Sequence, residues 1–401
     1  MADILKTNKR IDRIRSLKAL FFALFAIFLL FAASEIILNT FTSFGNTLNT
    51  LEYYASLSFS EEDLKTAIKA REDLSSIGDK IIGVPGTLIY RYKKARTESF
   101  NFNSFGFRGE EPQKKEKNEY RIGVFGDSRI IGIYLAEENT VPFILQKRLQ
   151  KEFPDKKITV FNIGIEGNEL QREISFAELD SGNLELDMAV FYAGANDVHY
   201  SFERGNIDYK PFTDEDKVYQ NLVENIAENQ KKPFLQRSAV IRVIKESFSS
   251  DFIHNFAPAK KEEAFTPLLP EFEARADEFV AKFKGRVKKA SGDLAEKGIK
   301  SVFFYPPFLQ LKKPLSSLEQ NMIYKNEMTV PGVNNYILRC ADGIAESENP
   351  VLFLQTTVFN GHPETMFYDG VHFTPEGSRI VGNNMADRII PLLKKYLESR
   401  D

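Results

Sequence analysis

Past residue 118 the chain alternates short, nearly continuous apolar runs with longer segments whose apolar residues recur every three or four positions. Tyr120–Phe125, Ile158–Ile163, Leu186–Tyr192 and Ile299–Tyr305 have the length and composition of strands, and Val351–Leu354 reads as a short fifth. Helices are predicted over Asn139–Phe153, over Glu169–Leu179 and from about Glu271, where Phe272, Phe279, Phe283 and Val287 fall on one face. Thr374 caps a last helix that begins at Pro375. Strands this apolar are covered on both faces. The pattern therefore predicts an α/β fold, with helices layered on either side of a five-stranded parallel sheet. The domain so defined occupies 119–401 and carries an insert at about 200–268, with helices predicted near Thr213–Asp216 and Ser238–Ser247. The insert reads either as a lid or specificity element or as a surface elaboration.

The N-terminal pattern is different. Ala19–Ser34 holds no charged residue and continues through Glu35 into Ile36-Ile37-Leu38, so 19–38 can cross a hydrocarbon core as a helix of about twenty residues. Lys6, Lys9, Arg10, Arg13, Arg15 and Lys18 precede the run, and no charge follows Glu35 until Glu52. The positive-inside rule makes 1–18 a cytoplasmic tail and places everything after Leu38 outside. Ala32-Ala33-Ser34 also has the small residues of a signal-peptide cleavage site, and either reading delivers the remainder across a membrane. Residues 39–118 read as a linker and lead-in. They show helical spacing over Glu61–Leu74, a turn at Gly83-Val84-Pro85-Gly86 and a charged connector at Gln113–Lys117.

Composition narrows the function classes. In 401 residues, 53 basic and 56 acidic side chains leave a formal charge of −3, which excludes a globally basic nucleic-acid binder. One cysteine, Cys340, excludes an intrachain disulfide and a Cys-rich metal or cluster site. The four histidines (His199, His254, His362, His372) stand at no metal-ligand spacing, and no phosphate-binding glycine pattern accompanies the first strand. No cofactor, metal or nucleic-acid partner is predicted.

Ligands of an open α/β sheet collect beyond the carboxyl ends of its strands. The first strand runs into Gly126-Asp127-Ser128, the second into a loop ending Glu166-Gly167-Asn168, and the third into Gly194-Ala195-Asn196-Asp197. Asp369-Gly370-Val371-His372 follows the fifth. A serine hydroxyl needs a base to become a nucleophile, and an imidazole titrates near neutrality. Asp369, three residues before His372, can hold the other ring nitrogen and stabilise the imidazolium. The main-chain N–H groups of Ser128 and Gly167 and the Asn196 amide can donate to a developing oxyanion. The candidate catalytic residues are thus Ser128, Asp369 and His372, with Ser128, Gly167 and Asn196 as the candidate oxyanion hole.

These clusters resemble, in order, the four blocks of the SGNH (GDSL-type) hydrolase superfamily: Ser128 within FGDS, Gly167 within NIGIEG, Asn196 within GAND and Asp369/His372 within DGVHFTPEG. The resemblance spans about Tyr120–Leu397. It implies a flavodoxin-like fold and a serine esterase acting through an acyl-enzyme on envelope esters, either O-acyl groups of glycans or lipid-like esters. The same residues would serve an O-acyltransferase. A reading of a different class is an anchored binding or assembly protein whose site does not turn over. Asn103–Gly109 (NSFGFRG) resembles the lead-in of membrane-anchored bacterial members, or is a turn packed under the sheet. One position departs from the family, where an apolar residue usually follows the serine. Here it is Arg129, read either as solvent-facing or as a bidentate reader of an anionic group on the substrate.

Overall fold

Residues 59–77, 81–205, 209, 211 and 265–398 are described by the computed structural model. The predicted membrane segment 19–38, the two helices predicted within the insert and nearly all of that insert lie outside them. Among the described residues no helix is long and apolar enough to cross a membrane.

The lead-in is more than a linker. Helix α1 (Glu61–Ser76) is followed by a hairpin of β1 (Ile81–Gly83) and β2 (Tyr90–Tyr92), turning where Gly83–Gly86 predicts it, and by a second short pair, β3 (Ala95–Arg96) and β4 (Asn101–Phe102). Phe100, Phe102 and Phe107 are buried in the same apolar cluster as residues of the central sheet. The boundary read at the charged connector is therefore corrected. That connector is a surface crossing, and the segment before it completes the core.

The five predicted strands are present and parallel: β5 (Glu119–Gly126), β6 (Lys157–Gly164), β7 (Met188–Tyr192), β8 (Lys300–Tyr305) and β9 (Leu352–Leu354), in the spatial order β6-β5-β7-β8-β9. Alternate residues of β5 face opposite layers. Ile122 and Val124 join a cluster with α3 (Val141–Glu152) and the C-terminal helix, while Phe125 faces the other layer. Between β5 and α3 lie one α-helical turn, α2 (Ser128–Ile131), and a 3-10 turn at Glu137–Asn139. The remaining helices are α4 (Leu170–Asp180), α5 (Ala195–Arg204), α6 (Pro270–Glu296), α7 (Ser317–Thr329), α8 (Val333–Ala345) and α9 (Pro375–Glu398). Thr374 caps α9 as expected, its Oγ1 accepting from the Gly377 N–H at 3.1 Å.

The chain leaves β5 toward β6 on one side and returns to β7 on the other. The crevice at the carboxyl ends of β5 and β7 is therefore the topological switch point, where ligands of such sheets bind. Register sharpens this. Gly126 pairs with Gly164 of β6 and with Tyr192 of β7, so three strands end side by side and release the loops bearing Ser128, Gly167 and Asn196.

Candidate functional site

Ser128 is the first residue of α2, placed there by Asp127, whose Oδ1 caps the turn by accepting the Arg129 N–H at 2.9 Å. The turn sits hard against the sheet. A Cβ on Gly126 would lie 2.3 Å from Ile130 Cγ1, and one on Gly164 would lie 2.1 Å from the Ile131 nitrogen. Only glycines at both strand ends let the serine-bearing turn approach so closely.

The second half of the site comes from 244 positions downstream. The loop from Met366 to Thr374 folds back on itself, with the Tyr368 N–H donating to His372 O at 3.2 Å and the Thr374 N–H to Met366 O at 2.9 Å. Within it Asp369 Oδ1 accepts the N–H groups of Val371 (2.7 Å) and His372 (2.5 Å), leaving Oδ2 facing the ring. His372 Nδ1 lies 2.6 Å from Asp369 Oδ2, and Nε2 lies 2.8 Å from Ser128 Oγ. Burial works to lower the His372 pKa. The charge and hydrogen bond of Asp369, joined by the charge of Asp127, outweigh it, so the imidazole titrates above its ordinary value. Burial likewise opposes ionisation of Asp369, but the charge of His372 and its side-chain and main-chain hydrogen bonds, with that of the Val371 N–H, hold the carboxyl below its ordinary value.

The donors predicted for an oxyanion lie beyond the adjacent ends of β5, β6 and β7. Neither the Ser128 nor the Gly167 main-chain N–H has a hydrogen-bond partner among the described residues. Gly167 adopts φ +71°, a left-handed conformation that glycine takes without strain. Asn196 donates one amide hydrogen to Asn168 O at 2.8 Å, and its second has no described partner. The loop after β6 is fixed from two further directions. Ile165 N–H donates to Gly126 O at 3.0 Å, and both carboxylate oxygens of Asp197 accept the Leu170 N–H at 3.2 Å. Burial, then the charge of Glu169, push Asp197 up to about 7.

Three groups escape sequence reasoning. Tyr368 stacks on the His372 ring (centroids 5.8 Å apart, 14° between planes), and Tyr134 meets that ring edge-on at 6.2 Å. Glu319 of α7, fully buried, accepts the Met366 N–H at 2.9 Å with Oε1 and Lys312 Nζ at 2.6 Å with Oε2, anchoring the His372 loop. Tyr368 adjoins the Asp369 motif. Ser316-Ser317-Leu318-Glu319 carries the Ser-x-x-Glu signal of a capping box, which it forms. Nothing in the sequence signals the anchoring role of Glu319. His362, a second histidine ten positions before His372, is half-buried with Nδ1 3.9 Å from Glu364 Oε2.

A serine, imidazole and carboxylate in this linear chain, beside unpaired N–H donors, can move a proton from the hydroxyl and take up negative charge on a carbonyl oxygen. The family described as GDSL-like Lipase/Acylhydrolase matches residues 122–385, about two thirds of the chain, including every residue just placed. The chain belongs to this family. As a GDSL-type protein it is a serine hydrolase of the esterase class. No match was found among curated proteins. Similar solved structures include an acetyl xylan esterase from Geobacillus stearothermophilus, 16% identical with a TM-score of 0.31, covering 67% of this chain and 94% of that one. A lipase from a goat rumen metagenome is 10% identical with a TM-score of 0.37 (67% and 97% covered). An α/β hydrolase enzyme from the metagenome of Lake Arreo, Spain, is 16% identical with a TM-score of 0.30 (67% and 94%).

Against this GDSL-type background the residue after the serine is corrected in both of its readings. Arg129 neither faces solvent nor is free to read a substrate anion, because the single turn α2 is buried on all sides. Its Nε and Nη2 lie 3.0 and 2.5 Å from the two carboxylate oxygens of Asp127, and its guanidinium stands 5.0 Å over the Tyr192 ring. Removing one partner of a buried pair leaves the other charge uncompensated. Arg129→Ala is expected to lose about 3–5 kcal/mol of unfolding free energy. Because Arg129 lowers and Asp127 raises the His372 pKa, the acid limb of the activity profile should move to higher pH. Urea denaturation and kcat/KM on a neutral and an anionic ester check this, with equal losses expected on both. A selective loss on the anionic ester would return Arg129 to the substrate.

Proposed function

We propose that the protein is an esterase, tethered through residues 19–38 and acting outside the cytoplasm, that removes an O-acyl group from an envelope glycan. The observation that carries the reading is the unbroken chain from Ser128 Oγ through His372 to Asp369. In it His372 Nε2 takes the hydroxyl proton as Oγ attacks the ester carbonyl, and the N–H groups of Ser128, Gly167 and Asn196 hold the oxyanion. His372 then gives the proton to the departing sugar oxygen. Water, deprotonated by the same nitrogen, releases the acyl group from Ser128 as a carboxylic acid.

A glycan suits the surroundings better than a long acyl chain. Ideal Cβ positions built on Gly167 lie 3.4 Å from Tyr90 Oη and 3.5 Å from Tyr200 Oη, and the neighbouring Glu166 is exposed. The rings of these tyrosines are covered by Arg172 and Arg204, but their hydroxyls, next to the Glu166 carboxylate, match a substrate that is itself hydroxylated. The tether and the compartment rest on the uncharged run behind six basic residues.

The test is covalent labelling with a fluorophosphonate, followed by peptide mapping and assays on acetylated glycans and on p-nitrophenyl esters of increasing chain length. Stoichiometric phosphonylation of Ser128 and release of acetate from the glycan are expected. A folded protein that stays unlabelled would overturn the reading in favour of a binding module. Labelling with activity confined to long-chain esters would replace the glycan by a lipid-like substrate.

A further inference from the structure

We infer that Arg108, twenty residues before the serine in sequence, is a positioning residue that sets where Ser128 Oγ stands relative to His372. The inference rests on the reading of Ser128 as nucleophile. A helix of one turn cannot hold itself, because nucleation is unfavourable and its last carbonyls have no partners within it. In α2 the carbonyl of its last residue and that of its C-cap are taken by Arg108, whose Nη1 donates to Ile131 O at 2.8 Å and to Gly132 O at 3.0 Å. Nη2 donates to Leu135 O and to Ser99 O, each at 3.2 Å. Nε lies 2.6 Å from Glu137 Oε2 in an ion pair, and the guanidinium stands 4.6 Å over the Phe100 ring.

Arg108 itself is 2% exposed, an unusual burial for a cation whose one ion pair among the described residues is with a half-exposed glutamate. The cation faces the C-terminal end of the turn, the end that favours positive charge, while Asp127 caps the other. With the glycine floor at Gly164 on one side, the turn is held at both ends and underneath. Its axial position, and with it the 2.8 Å contact of Oγ with Nε2, follows from these three supports. The fork of five donors is what lets one side chain reach four carbonyls, and a lysine ammonium keeps the charge but not the fork.

The test compares wild type with Arg108→Lys and Glu137→Gln. Four readouts are taken for each: thermal midpoint, fluorophosphonate inactivation rate per folded molecule, kcat with KM on p-nitrophenyl acetate, and the pH profile. In Arg108→Lys a displaced turn is expected to cut the inactivation rate and kcat together by about 10²-fold, with KM within about twofold. The acid limb should stay where it is, because the His372–Asp369 contact is untouched. Glu137→Gln, which loosens the Arg108 head from a partly exposed position, is expected to give a smaller parallel loss. A lowered midpoint with wild-type inactivation rate and kcat per folded molecule would make Arg108 merely structural and overturn the proposal. Should Arg108→Lys fail to fold, Glu137→Gln decides on the same criterion. A wild type that is not labelled at Ser128 removes the nucleophile reading and this one with it. Labelling at wild-type rate in both variants removes this one alone.

Discussion

Ser128→Ala is expected to lower kcat by about 10⁶-fold, the loss seen when a serine nucleophile is removed from a working triad. The fold should not follow. Alanine is the best helix former, and the cap of the turn belongs to Asp127, so the variant gives up only the contact with His372. A thermal midpoint within about 2–4 °C of wild type, corresponding to roughly 1 kcal/mol, should accompany the loss. Assays of wild type and variant on one p-nitrophenyl ester, with circular dichroism melts, check both halves. Activity retained above about one part in a thousand, with the fold intact, would place the nucleophile elsewhere.

The second large effect concerns Asp369. Asp369→Asn is expected to reduce the plateau kcat by about 10⁴-fold, because an amide can present either an acceptor or a donor to Nδ1 and no longer fixes the tautomer. The pH dependence has a definite sign. The general base must be neutral, and His372 titrates above its ordinary 6.5, so wild-type kcat/KM should fall below a pH lying above that value. Without the carboxylate, burial dominates and the imidazole pKa drops, so the remaining activity of the variant should persist to lower pH. Stability moves in parallel. A raised His372 pKa stabilises the fold below pH 6.5 and this is lost as pH rises through the folded value. A lowered Asp369 pKa stabilises it above 3.8 and this is lost as pH falls through its folded value. Profiles of kcat/KM between about pH 4 and 9, with denaturation midpoints carried down to about pH 2, measure both. An acid limb unmoved in the variant would mean that another group governs the profile.

Much of this arrangement could be read before any coordinates. Strands buried on both faces leave apolar runs that no surface helix shows, and all five are found within two residues of where the pattern sets them. The polar clusters at their ends were legible because a parallel sheet sends each strand's C-terminus to one edge. The helix α8 could also have been read, since Val333, Tyr336, Ile337, Cys340, Ala341 and Ile344 keep helical spacing and are buried. In α7 only scattered positions such as Met322 and Ile323 reach the core, so no periodicity announces it. The strands of the lead-in, unlike its helix and first turn, were illegible for another reason. They are two or three residues long, and their burial depends on surfaces supplied by residues far along the chain. Arg129 and Arg108 show the same limit. A charged side chain in a polar motif reads as exposed until the carboxylate or carbonyls that receive it are seen.

The separation of the hydroxyl from its base along the chain has a bearing on biosynthesis. Synthesis proceeds from the N-terminus, so Ser128 is made long before the loop carrying His372, 244 positions further on. Until that loop has been made and folded, the serine would have no partner to take its proton and would be as inert as any surface alcohol. A growing polypeptide could then pass esters without attacking them, and competence would arise only once the segment carrying His372 has folded onto the turn that bears the serine.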